Sequence, residues 1–401
     1  MGSPTVSNGM LSASKANIRL VTLLVLASFI VYTFVSHGDS FTSHTLGRSN
    51  SQTSRESEYY ADPDETAEVD VEESVGQAGF KAAIEQAAVE PVSLAKERQI
   101  TDDFGHTVKR YSWTSSTGNE EELDLLWLTM TYDKTSWGNL PGHGRRDISH
   151  LHTLIASQYP TERVSLGILT SSPDEYERYK EGIEELGYGK VTIILHRGFH
   201  SGPVIDRAHR HDESAQTARR SEIAKLRNYL MLRTLGEEQH ILWADADVFS
   251  FADGLVDRMV QHARESDEYG ILTTRCNYGA NKNYDLNAWA VSEAGRDLTG
   301  REDKRNSLLT EGKKFISDII KDTSDDDIMP LDTVGAAILY MRASLVNQGL
   351  AFAHQYVVGT KWGKDGWDGI ETEGLCYGGR GLQGGKCGVL GGKWSVEHST
   401  D

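Results

Sequence analysis

Two carboxylates stand one residue apart at the end of a short apolar run. Asp245 and Asp247 follow residues 241–244, which have the length and composition of a buried parallel strand. In open α/β sheets, ligands bind at the carboxyl ends of the strands. If the segment is extended, alternate side chains face one point, where two oxygen ligands suit Mg²⁺ or Mn²⁺. The spacing therefore predicts a divalent metal site, with a solvated turn as the alternative.

A basic amphipathic helix is predicted immediately before this strand. Residues 219–235 place apolar side chains on one face, and Gly236 ends the pattern. Arg220 and Arg227 are seven positions apart, so they lie near each other on another face and could point at one anion. The alternative is that these arginines belong to a solvated helix face.

Strand and helix patterns alternate from about residue 123 onward. Predicted strands cover residues 125–130, 164–170, 191–195, 241–244, 271–275 and 336–341, and predicted helices cover 145–158, 173–186, 219–235 and a segment from 253. Ser172 is the expected N-cap of the second helix, with Pro173 at its first position. The alternation predicts an α/β fold, a mainly parallel sheet with helices on both faces. The glycine-rich residues 378–392 are predicted to be a loop.

The N-terminal region has the composition of a membrane anchor and a stem. Residues 20–35 are almost wholly apolar, basic residues precede them, and acidic residues follow. We predict a cytosolic tail (1–19), a single transmembrane signal anchor (20–36), a largely disordered acidic stem (37–105) and a luminal catalytic domain (106–401). A cleaved signal peptide is the alternative.

Charge and cysteine content exclude several classes of protein. The formal net charge of −18 argues against nonspecific binding to nucleic acid, which needs a basic surface. Cys276, Cys376 and Cys387 are too few for a disulfide scaffold, and their spacing does not resemble a zinc site. Either Cys376 and Cys387 form one bridge, or all three thiols are unpaired.

The metal site, the basic helix and the predicted anchor together are typical of a nucleotide-sugar glycosyltransferase. In such a reaction the sugar leaves behind a nucleoside diphosphate, on which negative charge develops. A divalent ion held by Asp245 and Asp247 would stabilise that charge as a Lewis acid. Arginines would add charge-assisted hydrogen bonds to the same phosphates.

Six segments, in order along residues 123–374, carry a family resemblance. They are LGILTSS at 166–172, ARRSEIAKLRNYL at 218–230, LWADAD at 242–247, NYDLNAW at 283–289, DTVG at 332–335 and IETEG at 370–374. With these segments the chain resembles the fungal Golgi mannosyltransferases of glycosyltransferase family 62, which are subunits of mannan polymerase complexes.

The resemblance implies a GT-A-type fold, Mn²⁺ as metal (or Mg²⁺) and GDP-mannose as donor. It implies transfer of α-linked mannose with retention to a mannan or N-glycan acceptor at the Golgi membrane, within a hetero-oligomer. It implies metal ligation by Asp245, Asp247 and His398, although His398 could instead be an exposed tail residue. Further site residues are expected to be Asp332, Glu371 and Glu373 in the catalytic pocket, and Ser171, Arg220, Arg227, Asp245, Asn277 and Asp285 at the donor.

Two segments depart from the family pattern. Residues 129–134, after the first strand, lack the expected Pro-Leu-basic-Asn/Asp element, which bears on recognition of the base. Residues 356–393 also differ, so acceptor and linkage specificity do not carry over. Two alternatives to an active mannosyltransferase stay open: a non-catalytic scaffold subunit, and a transferase of the same fold that uses another nucleotide sugar.

Overall fold

A computed structural model describes residues 95–101, 106–116, 123–140, 144–198, 213–291, 313–355 and 369–399. All of them belong to one compact unit, Ala82–Asp401. The predicted cytosolic tail, membrane anchor and most of the predicted stem lie outside the described residues. Within the described ranges, no helix combines the length and apolarity that crossing a membrane requires.

Short strands and a few helices alternate along the described chain. The strands are β1 Lys96–Thr101, β2 Thr107–Thr114, β3 Leu125–Thr131, β4 Asn139–Leu140, β5 Gly144–Arg145, β6 Val164–Thr170, β7 Lys190–Leu195, β8 His240–Ala244, β9 Val248–Phe251, β10 Ile271–Thr273, β11 Arg275–Asn277, β12 Trp289–Val291, β13 Lys313–Phe315, β14 Ile328–Pro330, β15 Ile338–Arg342, β16 Cys387–Leu390 and β17 Ser395–His398. The α-helices are α1 Ile148–Gln158, α2 Pro173–Lys180, α3 Glu213–Thr234, α4 Leu255–Glu265, α5 Ile316–Ile319, α6 Ala343–Asn347 and α7 Leu375–Gly379.

The central sheet has ten strands in the order β1-β2-β7-β6-β3-β8-β15-β10-β16-β14. Its middle strands β7, β6, β3 and β8 are mutually parallel, and β10 pairs in parallel with β16. The strands β2, β15 and β14 pair antiparallel with their neighbours. The prediction of a mixed, mainly parallel sheet is confirmed.

Apolar side chains cover both faces of this sheet. Alternate residues of β3 face opposite ways, so Trp127 belongs to one core and Leu126 to the other. Helices α1, α2 and α4 contribute to the first core, and α3, α6 and α7 contribute to the second. The expectation of helices on both faces is therefore confirmed.

Local signals located the start of α2 but not its end. Ser172 caps α2 by accepting from the Glu175 amide, with Pro173 at the first position as predicted. The helix ends at Lys180, however, and residues 183–186 form a separate 3-10 turn. Strand β1 lies inside the range that we assigned to the largely disordered stem. It is ordered because it pairs along its length with β2.

The glycine-rich stretch is more regular than predicted. Residues 378–392 include the end of α7 and the whole of β16, which lies within the central sheet. A disulfide joins Cys376 of α7 to Cys387 of β16, and Cys276 is free and buried. The prediction of a loop was wrong here because long-range pairing and a covalent bond order the segment.

Candidate functional site

The two predicted metal ligands lie in a tight turn between β8 and β9. The Val248 amide donates to the Asp245 carbonyl over 3.1 Å, and the Asp245 amide donates to the Ala337 carbonyl over 3.1 Å. Strand β9 leaves the central sheet and joins a small sheet with β17 and β11, so the chain must change direction. The expectation of an extended segment is therefore wrong, although both carboxylates do lie at the carboxyl edge of β8.

His398 lies beside Asp247. Its Nε2 is 3.1 Å from Asp247 Oδ1, and its side chain is 10% exposed. His398 Nδ1 lies 2.8 Å from the Ser399 carbonyl, which can only accept, so Nδ1 carries a proton and donates it. The Tyr284 ring packs on the imidazole with centroids 4.3 Å apart. The alternative of an exposed tail histidine is therefore wrong.

The charge state of His398 follows its surroundings. Burial lowers the pKa of His398, but the hydrogen bond and charge of Asp247 outweigh burial, so the net shift is upward. The Ser399 amide in turn donates to the Asp247 carbonyl over 2.8 Å. The histidine and the aspartate therefore hold each other in place through both side chain and main chain.

Arg227 binds carboxylates in this structure. It lies in the buried stripe of α3, 4% exposed, with its guanidinium 4.9 Å from the Trp243 ring and 5.6 Å from the Phe352 ring. Its Nη2 is 3.0 Å from Asp245 Oδ1, and its Nε is 3.0 Å from Glu371 Oε1. The alternative of a solvated helix face is therefore wrong for Arg227.

Arg220, two helical turns before Arg227, binds the segment that contains Glu371. Its Nη2 donates to the Ile370 carbonyl over 2.6 Å and lies 3.1 Å from Glu373 Oε2. Glu371 and Glu373 are both 6% exposed. Glu371 has a φ of +62°, which is rare for a residue with a side chain and is found at strained functional positions. Helix α3 therefore holds both predicted pocket glutamates, and through Arg227 it brings Glu371 to the side of Asp245.

Asp285 lies behind the turn. Its Oδ2 accepts from the Ala337 amide over 3.2 Å and its Oδ1 from the Asn287 amide over 3.1 Å. Burial raises the pKa of Asp285 despite these amide donors. A Cβ on Gly335 would lie 1.8 Å from Asp285 Oδ2, so only glycine leaves room for this carboxylate.

The remaining predicted site residues are Asn277, Ser171 and Asp332. Asn277 Nδ2 donates to Glu397 Oε1 over 2.7 Å, and its buried Oδ1 accepts no hydrogen bond within the described part of the chain. Ser171, after β6, donates to the His196 carbonyl over 3.0 Å. Asp332 accepts from the Val291 amide over 2.8 Å and lies 3.3 Å from Arg380 Nη2. The contacts seen for Ser171 and Asp332 do not join them to Asp245.

Negative charge is concentrated at the turn. Burial raises the pKa of Asp245 to about 7; Arg227 opposes the rise, and the carboxylates of Asp247, Glu371 and Asp285 add to it. A divalent cation would relieve this repulsion, and carboxylate ligands suit Mg²⁺ and Mn²⁺. A metal-binding histidine commonly donates its other ring N–H to a main-chain carbonyl, as His398 does here.

The residues therefore fit a divalent metal by donor type and charge. They are not already arranged as a cage: across the described ranges, no group of three or more His, Cys, Asp or Glu side chains has metal-binding spacing. A cation at this turn would compete with Arg227 for Asp245 Oδ1 and with His398 for Asp247 Oδ1.

Arg146 also contacts the acidic turn, although no pattern in the sequence predicted this role. Arg146 is 2% exposed and donates from Nη1 to the Ala246 carbonyl, between the two aspartates, over 2.8 Å. In the sequence it follows another arginine in a polar stretch before α1, which is typical of a solvated loop.

A model of the Anp1 family matches residues 112–355, more than half of the chain. The chain belongs to the Anp1 family. This membership confirms the family that the sequence segments indicated. Glu371, Glu373 and His398 lie beyond the matched residues.

Relatives of this Anp1-family chain include subunits of polymerase complexes. It is 28% identical over 257 residues to the mannan polymerase complex subunit mnn9 of Schizosaccharomyces pombe, covering 58% of this chain and 70% of that protein. It is 24% identical over 238 residues to the mannan polymerase II complex anp1 subunit of the same yeast, covering 53% of each. A vanadate resistance protein of Candida albicans is 25% identical over 154 residues, covering 36% of this chain and 34% of that protein.

Proposed function

We propose that this chain is a metal-dependent retaining α-mannosyltransferase that uses GDP-mannose. Its acceptor is an α-mannoside of a mannan or an N-glycan outer chain, and it works at the Golgi membrane with related subunits. The observation that carries the proposal is the acidic turn at the carboxyl edge of β8, with His398 on Asp247, in a chain of the Anp1 family. Relatives that are named as mannan polymerase subunits support the choice of sugar.

The site residues divide into cation ligands and pocket acids. Asp245, Asp247 and His398 would hold Mn²⁺, which when bound supplies Lewis-acid stabilisation of the leaving diphosphate. Arg227 orients Asp245 and Glu371 together, because its guanidinium binds both carboxylates. Glu371 and Glu373 are buried acceptors held by the arginines of α3, suited to fix sugar hydroxyl groups by hydrogen bonds.

The reaction balances without a covalent intermediate on the protein. The bond between the mannose anomeric carbon and the diphosphate breaks, and a bond to the acceptor oxygen forms. The acceptor hydroxyl passes its proton to an oxygen of the leaving diphosphate, and GDP is released. We assign no protein nucleophile.

The test uses the purified full-length protein with GDP-mannose, an α-mannoside acceptor and Mn²⁺, and measures released GDP and elongated glycan. Wild type should elongate only with the metal present, and Asp247→Ala should lower turnover by about 100-fold or more. The control is Asp257→Ala, which removes an exposed carboxylate from α4 and should retain activity.

Two other results would revise the proposal. Mn²⁺-dependent GDP binding without turnover would favour a non-catalytic scaffold subunit, an alternative consistent with relatives that are named as subunits of complexes. Binding of UDP in preference to GDP would contradict the donor and favour another nucleotide sugar.

A further inference from the structure

Arg146 is a buried cation whose position the proposed reaction does not explain. It follows the short β4–β5 hairpin and precedes Asp147, the N-cap of α1. Its side chain is 2% exposed. Burying a guanidinium costs several kcal/mol unless its neighbours compensate, so such a residue needs a structural or functional reason.

The contacts of Arg146 are with main chain. Nη1 donates to the Ala246 carbonyl over 2.8 Å and to the Trp137 carbonyl over 3.4 Å. The Arg146 amide donates to the Gly138 carbonyl over 3.0 Å. Ala246 is the middle residue of the Asp245–Asp247 turn. The guanidinium therefore holds the backbone between the two carboxylates, whose Oδ1 atoms contact Arg227 and His398 instead.

The loop at Gly138, which Arg146 also holds, packs against Asp247 and against Ser399, the neighbour of His398. Gly138 has a φ of +66°, and a Cβ there would lie 1.8 Å from Ser399 Oγ and 3.4 Å from the Asp247 Cβ. Ser399 adjoins His398 and donates its amide to the Asp247 carbonyl. The loop after β3, the acidic turn and the C-terminal residues thus meet around Arg146.

We propose that Arg146 is a positioning residue that presets the Asp245–Asp247 turn for a divalent cation. The inference rests on the metal-dependent function proposed above. Two carboxylates one residue apart repel each other and favour a more open turn. A charge-assisted hydrogen bond to the carbonyl between them holds the turn closed before the cation arrives, so less ordering is left for binding.

The charge of Arg146 acts on cation binding in the opposite direction. A positive side chain near the turn repels Mn²⁺, and its attraction to Asp247 competes with the metal. Substitution of Arg146 by methionine keeps much of the side-chain length. It removes the hydrogen bond to the Ala246 carbonyl, and it also removes the repulsion of Mn²⁺ and the attraction to Asp247. If positioning dominates, Arg146→Met weakens Mn²⁺ binding; if only charge matters, it strengthens binding. The sign of the change separates the two roles.

The experiment measures binding of Mn²⁺ alone to the full-length protein by calorimetry and by the electron paramagnetic resonance of free Mn²⁺. Arg146→Met should raise the dissociation constant about tenfold, as expected for a residue that orients metal ligands. Thermal denaturation without metal, run in parallel, reports the stability of each variant.

Arg342→Met is the matched control. Arg342 also donates to main-chain carbonyls, those of Ala263 and Ser266. It pairs in register with His240, at the opposite end of β8 from Asp245. We expect this variant to lower the melting temperature and to leave the Mn²⁺ dissociation constant unchanged.

The outcomes separate this inference from the proposed function. A wild type that binds no Mn²⁺ contradicts the proposed function and the inference with it. A wild type that binds, beside a folded Arg146→Met variant with equal or tighter binding, contradicts the inference alone. Should the methionine variant not fold, Arg146→Lys keeps the charge. Its shorter side chain has one nitrogen and no planar fork, so it should still weaken binding about threefold; unchanged affinity would overturn the inference.

Discussion

Arg227 shows how burial changes the role of a charged residue. Its type and its helical spacing indicated a cation for phosphate, yet its guanidinium lies between Trp243 and Phe352 and binds two carboxylates. Its position in the buried stripe was hidden because an arginine interrupts the apolar pattern of α3. The Arg227 guanidinium therefore stabilises the acidic site itself. Any contact of Arg227 with a phosphate would have to form beside these two ion pairs.

Removing Arg227 should destabilise the protein strongly. Arg227→Met leaves Glu371 buried and Asp245 half-buried without their cation, and we expect a loss of about 2–3 kcal/mol in the free energy of unfolding. Arg233→Met, on the exposed side of the same helix, should change it by about 0.5 kcal/mol or less. Urea denaturation without metal measures both, and equal losses in the two variants would rule out this role for Arg227.

His240 should make stability depend on pH. Burial lowers the pKa of His240 to about 4 from 6.5, and its Nδ1 lies 2.6 Å from the Tyr340 hydroxyl. Between these values the unfolded chain takes up a proton that the native imidazole does not. Stability is therefore lost as pH falls from about 6.5 towards 4, and this residue accounts for about 2 kcal/mol by pH 5.

Denaturation of wild type and His240→Gln at pH 7 and pH 5 tests this expectation. The variant should lose less stability between the two pH values than wild type, whatever its absolute stability. Equal losses would mean that His240 is protonated in the native protein at pH 5.

At the scale of elements, the packing of the loop before β15 on Asp285 depends on Gly335. A methyl group there would displace the Asp285 carboxylate from the Ala337 amide. Gly335→Ala should cost about 1–3 kcal/mol, the usual range for overpacking. Gly381→Ala is the control, because a Cβ at Gly381 meets nothing within 4 Å. Thermal denaturation compares the two, and a neutral Gly335→Ala would show that the loop adapts.

The disulfide between α7 and β16 should stabilise the segment that carries the pocket glutamates. It joins residues 11 positions apart, just after Glu371 and Glu373. Replacing both Cys376 and Cys387 by serine should cost about 2–3 kcal/mol through the added freedom of the unfolded chain. A reducing agent should destabilise wild type and leave the double variant unaffected; equal effects on both would contradict a role for this bond.

Elements whose signals are local could be predicted from the sequence. The apolar runs gave β3, β6, β7 and β8, and the cap at Ser172 gave the start of α2. The turn at Asp245 could not be predicted, because its shape follows from β9 joining another sheet. The partners of Arg146 and Arg227 are distant in sequence, so spacing along the chain does not reveal them.

At the scale of the whole molecule, the sheet separates two charged clusters. At the start of β3, buried Asp124 accepts from the Tyr159 hydroxyl and from Arg264 over 3.1 Å, and it also pairs with Arg163. The opposite edge of the sheet collects Asp245, Asp247, Asp285 and Glu371. Burial, together with the charges of the other three carboxylates, raises the pKa of Asp245 despite Arg227. The acid of the first cluster is paired with its own arginines, whereas the acidic excess at the carboxyl edge would favour a bound cation, which is consistent with the metal site that we propose there.

The outer edge of the sheet gives a prediction for the domain boundary. Strand β1 covers the edge of β2, and its Glu97 accepts from the Tyr176 hydroxyl over 2.8 Å and lies 3.3 Å from Lys180 Nζ. A fragment of residues 95–401 keeps these contacts, whereas a fragment of residues 106–401 loses them and leaves β2 as the open edge. Open edges pair with other chains.

We therefore expect the shorter fragment to melt at a lower temperature and to self-associate. Light scattering after size-exclusion chromatography and thermal denaturation of the two fragments measure the difference. Substituting Glu97 by Gln in the longer fragment is the control: it weakens the ion pair with Lys180 but keeps β1 on the edge, so this variant should stay as monodisperse as its parent. The two fragments could instead show equal melting temperatures and equal masses per particle. In that case β1 would contribute neither stability nor protection of β2, and the folded domain would start at residue 106.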